Sequence, residues 1–231
     1  MKKTGSFSHW KNIFLDQSRM DELHVTLMKY CDYLEIQAKT IDKSSIEFDS
    51  YEELMEYTNY KKGRIKRLEI CGYLHKSWDR VFTITFCPEY STKYSVECDY
   101  NFEEINKETI FCKEMQDLLD KASSLYIPAF IGKFVSLCLL YLALFFLLSV
   151  VLHETSIISY CIGGVVVAII HDVFLHFIWY ILFPPVSFSW GESITYYKHI
   201  AKLRNFVFIT ILLTIAIGIL VNYISGRLFT T

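Results

Sequence analysis

Three long apolar segments in the second half of the chain constrain its fold more than any other feature. They are residues 134–152, 156–183 and 206–224. Each is close to or longer than the roughly 20 apolar residues that cross the hydrocarbon core of a bilayer. The first and third contain no charged side chain, and the second contains one, Asp172. The sequence therefore predicts a transmembrane domain of three helices over residues 128–231.

The charged side chains are concentrated in the other half of the chain. Residues 1–127 contain 18 of the 23 Lys and Arg residues and 22 of the 25 Asp and Glu residues. This division excludes one uniform soluble domain, a disordered acidic tail and a disulfide-rich secreted fold. The seven cysteines include no C-x-x-C pair, so we expect free thiols in a reducing cytosol. The basic N-terminus has no apolar run behind it, which does not match a signal peptide.

Residues 1–127 show the patterns of a small α+β domain. Capping boxes at Ser18–Asp21 and Ser50–Glu53 predict two helix starts, and apolar spacing predicts a third helix over residues 107–123. Because alternation of apolar and polar residues is typical of a sheet with one wet face, we expect an antiparallel sheet with flanking helices. The alternating segments are residues 33–40, 46–48, 64–72, 81–87 and 94–100. The predicted fold class is an α+β cytoplasmic domain followed by an all-α membrane domain of three transmembrane helices.

Basic residues near the ends of the predicted spans indicate their orientation. Lys121 and Lys133 precede the first span, whereas the link between the first two spans contains no Lys or Arg. Lys198, Lys202 and Arg204 lie between the second and third spans. Since cytoplasmic loops are enriched in these residues, the pattern places residues 1–127 in the cytoplasm. We expect a multi-pass protein of a plasma membrane, with a bacterial inner membrane as the setting.

A basic run precedes the third predicted strand. Five of the seven residues from 61 to 67 are basic, namely Lys61, Lys62, Arg64, Lys66 and Arg67. Three interpretations stand: contact with anionic lipid headgroups, contact with nucleic acid, or a solvated turn balanced by nearby glutamates. Residues 1–127 carry more acidic than basic side chains, so nucleic acid is not expected as a partner. The functional interpretation is therefore contact with the membrane surface.

Two stripes of small and polar residues recur every fourth residue, a spacing that helical geometry places along one face. In the second span the stripe is Gly164, Ala168, Asp172 and His176. In the third span it is Thr210, Thr214, Gly218 and Asn222. Small residues let helices approach closely, and a carboxylate inside a membrane is costly unless it is paired. The stripes predict a helix-packing seam or the lining of a polar pore. In a third interpretation Asp172 lies nearer the membrane surface.

The segment between the second and third spans contains two adjacent prolines, Pro184 and Pro185, followed by Phe188 and Trp190. Prolines end a helix abruptly, and aromatic rings favour the headgroup level of a bilayer. We interpret the segment as an elbow at the membrane interface. The alternative is a docking surface for the cytoplasmic domain, which would couple that domain to the second and third spans.

The sequence contains no phosphate-binding glycine loop, nucleophile elbow or metal motif. We therefore predict no catalytic residue, metal or cofactor, and nothing supports an enzyme. The predicted function is that of a membrane protein whose cytoplasmic domain senses a ligand or partner and acts on an oligomeric helix bundle. Such a protein could form a channel or perturb the membrane in a stress or phage response. The alternative is a membrane-anchored scaffold that conducts nothing. The expected partners are the lipid bilayer, further copies of the chain and a cytoplasmic protein.

Overall fold

The elements of the fold follow from a computed structural model, which describes residues 3–74, 79–87, 94–123 and 181–228. The strands are β1 (Lys3–His9), β2 (Ile13–Asp16), β3 (Tyr33–Thr40), β4 (Ser45–Phe48), β5 (Ile65–Tyr73), β6 (Arg80–Phe86), β7 (Val96–Phe102) and β8 (Val186–Ser189). The helices are α1 (Gln17–Leu27), α2 (Tyr51–Glu56), α3 (Ile105–Ala122) and α4 (Ser193–Leu228). Strands β3 to β7 and helices α1 to α3 confirm the elements predicted in the first half to within a few residues, whereas β1, β2 and β8 were not predicted.

Six strands form an antiparallel sheet in the order β1-β7-β6-β5-β3-β4. Across its centre Ile70 of β5 pairs with Ile84 of β6, which pairs with Cys98 of β7. Since side chains alternate along a strand, these three lie on one face, where each is at most 2% exposed. Helices α1 and α3 complete this core with further buried side chains: Met20, Leu23, Leu27, Phe111, Met115, Leu118 and Leu119. We call this sheet with α1, α2 and α3 the sheet domain.

The helix starts follow from capping side chains. Asp16, at the end of β2, has an extended backbone, and its carboxylate accepts a hydrogen bond from the Arg19 N–H at 3.0 Å. Helix α1 therefore begins two residues earlier than the capping box at Ser18 predicted. Ser50 caps α2 as predicted, because its hydroxyl accepts the Glu53 N–H at 3.2 Å. Both caps satisfy backbone donors that have no partner inside the helix.

A second, two-stranded sheet joins segments that are about 170 residues apart in sequence. Strand β2 pairs in parallel with β8, so that Ile13 lies opposite Val186 and Leu15 lies opposite Phe188. The Ile13 N–H also donates to the Pro185 carbonyl at 2.9 Å. All four β8 side chains are buried. Two parallel strands cannot be joined by a tight turn, so β2 and β8 come from distant parts of the sequence. Their pairing brings β8 into the core of the sheet domain.

The prediction of an all-α domain of three transmembrane helices is wrong for the part of the chain that the structure describes. No helix among the described residues is both long and apolar enough to cross a membrane. Residues 134–152, and all of 156–183 except its last three, lie outside the described residues. Residues 206–224 form no separate helix, because they continue α4, which begins 13 residues earlier. The described fold is mostly antiparallel sheet with few helices, and it gives no support to the description as an integral membrane protein. The cytoplasmic placement of residues 1–127 stays a prediction.

Candidate functional site

A buried amide, that of Asn59, attaches the start of α4 to the sheet domain. Its Nδ2 donates to the Phe188 carbonyl at 2.9 Å and to the Ser193 Oγ at 3.0 Å. Its Oδ1 accepts the Ile65 N–H at 2.9 Å. Asn59 is fully buried and has a φ of 48°, a left-handed conformation that Asn adopts more readily than most residues. One side chain thus connects β5, β8 and the first residue of α4.

A close backbone contact beside Asn59 reinforces this attachment. The Glu192 N–H donates to the Thr58 carbonyl at 2.8 Å. The preceding residue, Gly191, has a φ of 57°, and a Cβ at this position would lie 2.3 Å from the same carbonyl oxygen. Only glycine fits both the conformation and the space. Gly191 therefore allows the turn before α4 to lie directly against the sheet domain.

Arg64 connects the basic run to the first turn of α4. Its guanidinium carbon lies 3.4 Å from the ring centroid of Tyr196 and 5.9 Å from that of Tyr197. A guanidinium this close to an aromatic face gains cation–π attraction. The Nη1 atom of Arg64 is buried and has no hydrogen-bond partner among the described residues. A charged hydrogen-bond donor of Arg64 without a described partner therefore lies beside the first turn of α4.

The Tyr197 hydroxyl lies beside β8, where it accepts the Phe188 N–H at 3.4 Å. Burial raises the pKa of Tyr197 to about 12, although the Arg64 guanidinium acts in the opposite direction. Tyr197 is thus a neutral phenol near pH 7, and it supplies no negative charge to pair with Arg64.

A cavity of about 400 Å³ opens at this place, between the basic run, β8 and α4. Its described lining residues include two cations, Arg64 and Lys66, and no Asp or Glu. The remaining described lining residues are mostly apolar or aromatic: Ile41, Ile65, Cys87, Ile181, Pro184, Pro185, Val186, Tyr196 and Tyr197. We call this cavity the junction cavity. Its charge is positive and its walls are apolar, a combination that suits an amphipathic anion.

Cys87 lies in the wall of the junction cavity with a φ of 57°, which is uncommon for a residue with a side chain. Burial raises the pKa of its thiol to about 12. The thiol is therefore protonated near pH 7 and does not act as a nucleophile. Burial likewise raises the pKa of Cys31 to about 12 and raises that of Cys71 and Cys98.

The five members of the predicted basic run do not form one surface. Lys61 and Lys62 are exposed in the turn before β5, and Arg64 and Lys66 line the junction cavity. The guanidinium of Arg67 lies 3.0 Å from the Glu69 carboxylate. Alternation along β5 sends Lys66 and Arg67 to opposite faces of the strand, which separates charges that are adjacent in sequence.

The predicted polar stripes are placed only in part. Gly164, Ala168, Asp172 and His176 lie outside the described residues. The second stripe, Thr210, Thr214, Gly218 and Asn222, lies within α4. The Thr210 hydroxyl donates to the Phe206 carbonyl of the same helix at 2.9 Å. Contact between the two stripes, as a seam or a pore, stays a prediction.

The predicted elbow residues lie where β8 and the start of α4 meet the sheet domain, a region that we call the junction. Pro184 and Pro185 line the junction cavity. Phe188 and Trp190 are 0% and 2% exposed, and their ring centroids lie 5.8 Å apart in an edge-on arrangement. Both rings are packed in the core of the sheet domain.

A second cavity, of about 500 Å³, lies between the end of α1 and the start of α3. Its described lining carries charges of both signs, including Asp32, Glu103 and Lys107. No group of three or more His, Cys, Asp or Glu side chains among the described residues could hold a metal ion. The junction cavity is the better candidate, because its charge is of one sign and lies beside an unused donor.

Sequence reasoning missed Asn59, Gly191 and Ser193. An Asn or Gly in a turn signals a left-handed backbone, and both occur between predicted elements. That signal gives the local conformation but not the partner 130 residues away. A comparison with known proteins adds no relative: no protein-family model, curated protein or solved structure matches this chain.

Proposed function

We propose that the protein is a binding protein in which the sheet domain controls the association of α4 with further copies of the chain. The sheet domain receives a ligand or partner, and α4 carries the response. This is a non-enzymatic role. The observation that carries it is the attachment of α4 to the sheet domain through the buried Asn59 amide.

This attachment supports coupling because it is short and rigid. Asn59 bonds directly to β8, to the first residue of α4 and to the backbone of Ile65. The junction cavity lies among the same elements. A ligand that shifts Arg64 or β5 by a fraction of an ångström therefore changes the direction in which α4 leaves the sheet domain, because close-packed interiors transmit displacement.

Association through α4 is supported by an apolar face on its described part. Leu203, Phe206, Ile209 and Leu213 are between 51% and 66% exposed. At 3.6 residues per turn these four side chains fall within about a third of the helix circumference. A cluster of exposed large apolar side chains of this kind marks a contact surface. A second copy of the same helix is the occupant that presents a matching face.

The experiment measures the mass of the purified full chain by light scattering over a range of concentrations. The parent chain is expected to form oligomers, and Phe206→Asp is expected to shift it toward the monomer. Asn205→Asp is the matched control, because it adds the same charge about 100° around the helix from Phe206, outside the arc of the four apolar side chains. A monomeric parent chain contradicts the proposal, as does an equal effect of the two variants.

The alternative function is a scaffold that binds a soluble protein without self-association. It is favoured by the face of the sheet that points away from α1 and α3. This face carries many polar residues, among them Glu35, Gln37, Glu47, Glu69, Glu97 and Asp99. A monomeric chain at every concentration would leave the scaffold as the remaining function.

A further inference from the structure

The junction cavity combines an apolar interior with an uncompensated positive charge. Of its described lining residues, Arg64 and Lys66 are cationic and none is acidic. The neutral Tyr197 phenol and the protonated Cys87 thiol do not offset this charge. Lys66 is exposed, whereas Arg64 is half-buried, and a half-buried charge in a folded protein normally has a partner. The junction cavity therefore has the electrostatic character of an anion site.

Arg64 is positioned for recognition of an anion. Its guanidinium carbon lies 3.4 Å from the ring centroid of Tyr196, and this cation–π contact restrains the position of the group. The buried Nη1 has no hydrogen-bond partner among the described residues. Arg64 also lines the junction cavity, so an anion there that accepts a guanidinium N–H gains a charge-assisted hydrogen bond.

The chemistry of the walls indicates the rest of the ligand. Pro185, Val186, Ile65 and Ile41 supply apolar surface in the same cavity as the two cations. A volume of about 400 Å³ lies within the range of pockets that hold small organic ligands, and it exceeds what a bare inorganic ion fills. The ligand therefore has an anionic group at one end and an apolar body at the other.

We propose that the junction cavity binds a small phosphomonoester with an apolar body. The phosphate accepts hydrogen bonds from the Arg64 guanidinium and forms an ion pair with the Lys66 ammonium, and the apolar body lies against Pro185 and Val186. A phosphate is favoured over a carboxylate because its second negative charge matches the second cation. The proposal rests on the proposed function, since it names the ligand class for the site that controls α4.

The test is calorimetric titration of the purified full chain with phenyl phosphate. We expect saturable binding, at least tenfold tighter than that of inorganic phosphate, benzoate or phenol. Arg64→Gln is expected to weaken phenyl phosphate binding about 10- to 100-fold, because it removes a charged hydrogen bond. Lys62→Gln is the matched control, since this exposed lysine of the same basic run does not line the junction cavity. A thermal melt confirms that both variants are folded.

Each outcome decides the proposal. Absence of phenyl phosphate binding overturns it, and so does an equal loss in the Arg64 and Lys62 variants, which indicates attraction to general basic charge. Benzoate that binds as tightly as phenyl phosphate overturns the assignment of a phosphate. Should Arg64→Gln fail to fold, Lys66→Gln replaces it and is expected to weaken binding at least threefold. If the chain forms oligomers but does not bind phenyl phosphate, only the proposed ligand class is contradicted. If a strictly monomeric chain binds phenyl phosphate, only the proposed function is contradicted.

Discussion

At the scale of single residues, Asn59 shows how one side chain can meet several demands at once. Its backbone is left-handed, its two amide hydrogens are donated and its oxygen accepts. Asp has the same shape but lacks the two donors, and Gly has the conformational freedom but lacks the side chain. The hydrogen-bond pattern therefore specifies Asn at this position.

Replacing Asn59 tests this requirement. Asn59→Ala leaves the buried Ile65 N–H without its acceptor and places Ala in a left-handed conformation. We expect the free energy of unfolding to fall by about 2–4 kcal/mol in urea titration. Asn205→Ala, at an exposed position of α4, is expected to change it by less than about 0.5 kcal/mol. Equal values for the two variants contradict the role assigned to Asn59.

His9 is one residue through which stability depends on pH near neutrality. Its Nε2 lies 2.9 Å from the Ser123 Oγ, and the Ser123 hydroxyl donates to the Leu119 carbonyl at 2.8 Å, so His9 is the donor of the first bond. Burial lowers the pKa of His9 below its ordinary value of 6.5, with the Asp120 carboxylate opposing the shift and the Lys11 ammonium adding to it.

The sign of the pH effect follows from this shift. The unfolded chain takes up a proton near pH 6.5 and the folded chain resists it, so stability is present above that pH and falls as the pH is lowered. We expect the free energy of unfolding to decrease between about pH 7 and pH 5.5 and the slope to flatten in His9→Gln. Lys11 binds Asp120 and lowers the pKa of that carboxyl group, whose effect on stability belongs to more acidic pH. An unchanged slope in His9→Gln contradicts the assignment.

At the scale of elements, the strands that the sequence predicted are those with regular alternation. Strand β6 places Phe82, Ile84 and Phe86 on one face, and the pattern is visible in the residues alone. Strand β1 escaped prediction because its inward positions are Gly5, Phe7 and His9, of which only Phe7 is strongly apolar. Gly5 lies under the Tyr100 ring, where a Cβ would be too close.

The junction was unpredictable from sequence for a different reason. Strand β8 has four residues, follows two prolines and is buried on both sides, so it shows no alternation. Its partner β2 is equally short. Periodicity describes an element by its own residues, whereas a parallel pair between two short strands is defined by packing between distant parts of the chain.

Gly191 offers a test of how firmly the elements of the junction are joined. Gly191→Ala forces a Cβ toward the Thr58 carbonyl at a positive φ, so the first turn of α4 must move away from the sheet domain. We expect faster hydrogen exchange, by about tenfold or more, at the backbone amides of residues 195–198. Glu192→Ala keeps the backbone bond to Thr58 and is expected to leave this exchange unchanged. Equal protection in the parent chain and Gly191→Ala contradicts the close contact.

At the scale of the whole molecule, the apolar second half of the sequence led to an interpretation that the described structure corrects. The segment from 181 to 200 is not merely a spacer between helices, because Val186, Phe188 and Trp190 are buried in the core of the sheet domain. Long apolar runs indicate that side chains avoid water, but they do not identify what covers them. The division of charge at residue 127 therefore described the composition of the two halves. It did not predict that residues after 127 pack against residues before it.

The pairing of β2 with β8 has a consequence for the order of events during synthesis. Strand β2 is complete after residue 16, and its partner ends at residue 189. At about 5–20 residues per second, ribosomes need roughly 9–35 seconds to make the intervening chain. Once residue 102 has been made, all strands of the large sheet are present, but Ile13 and Leu15 still lack their partner β8. The β2 edge of the nascent chain therefore stays unpaired until β8 has been synthesised.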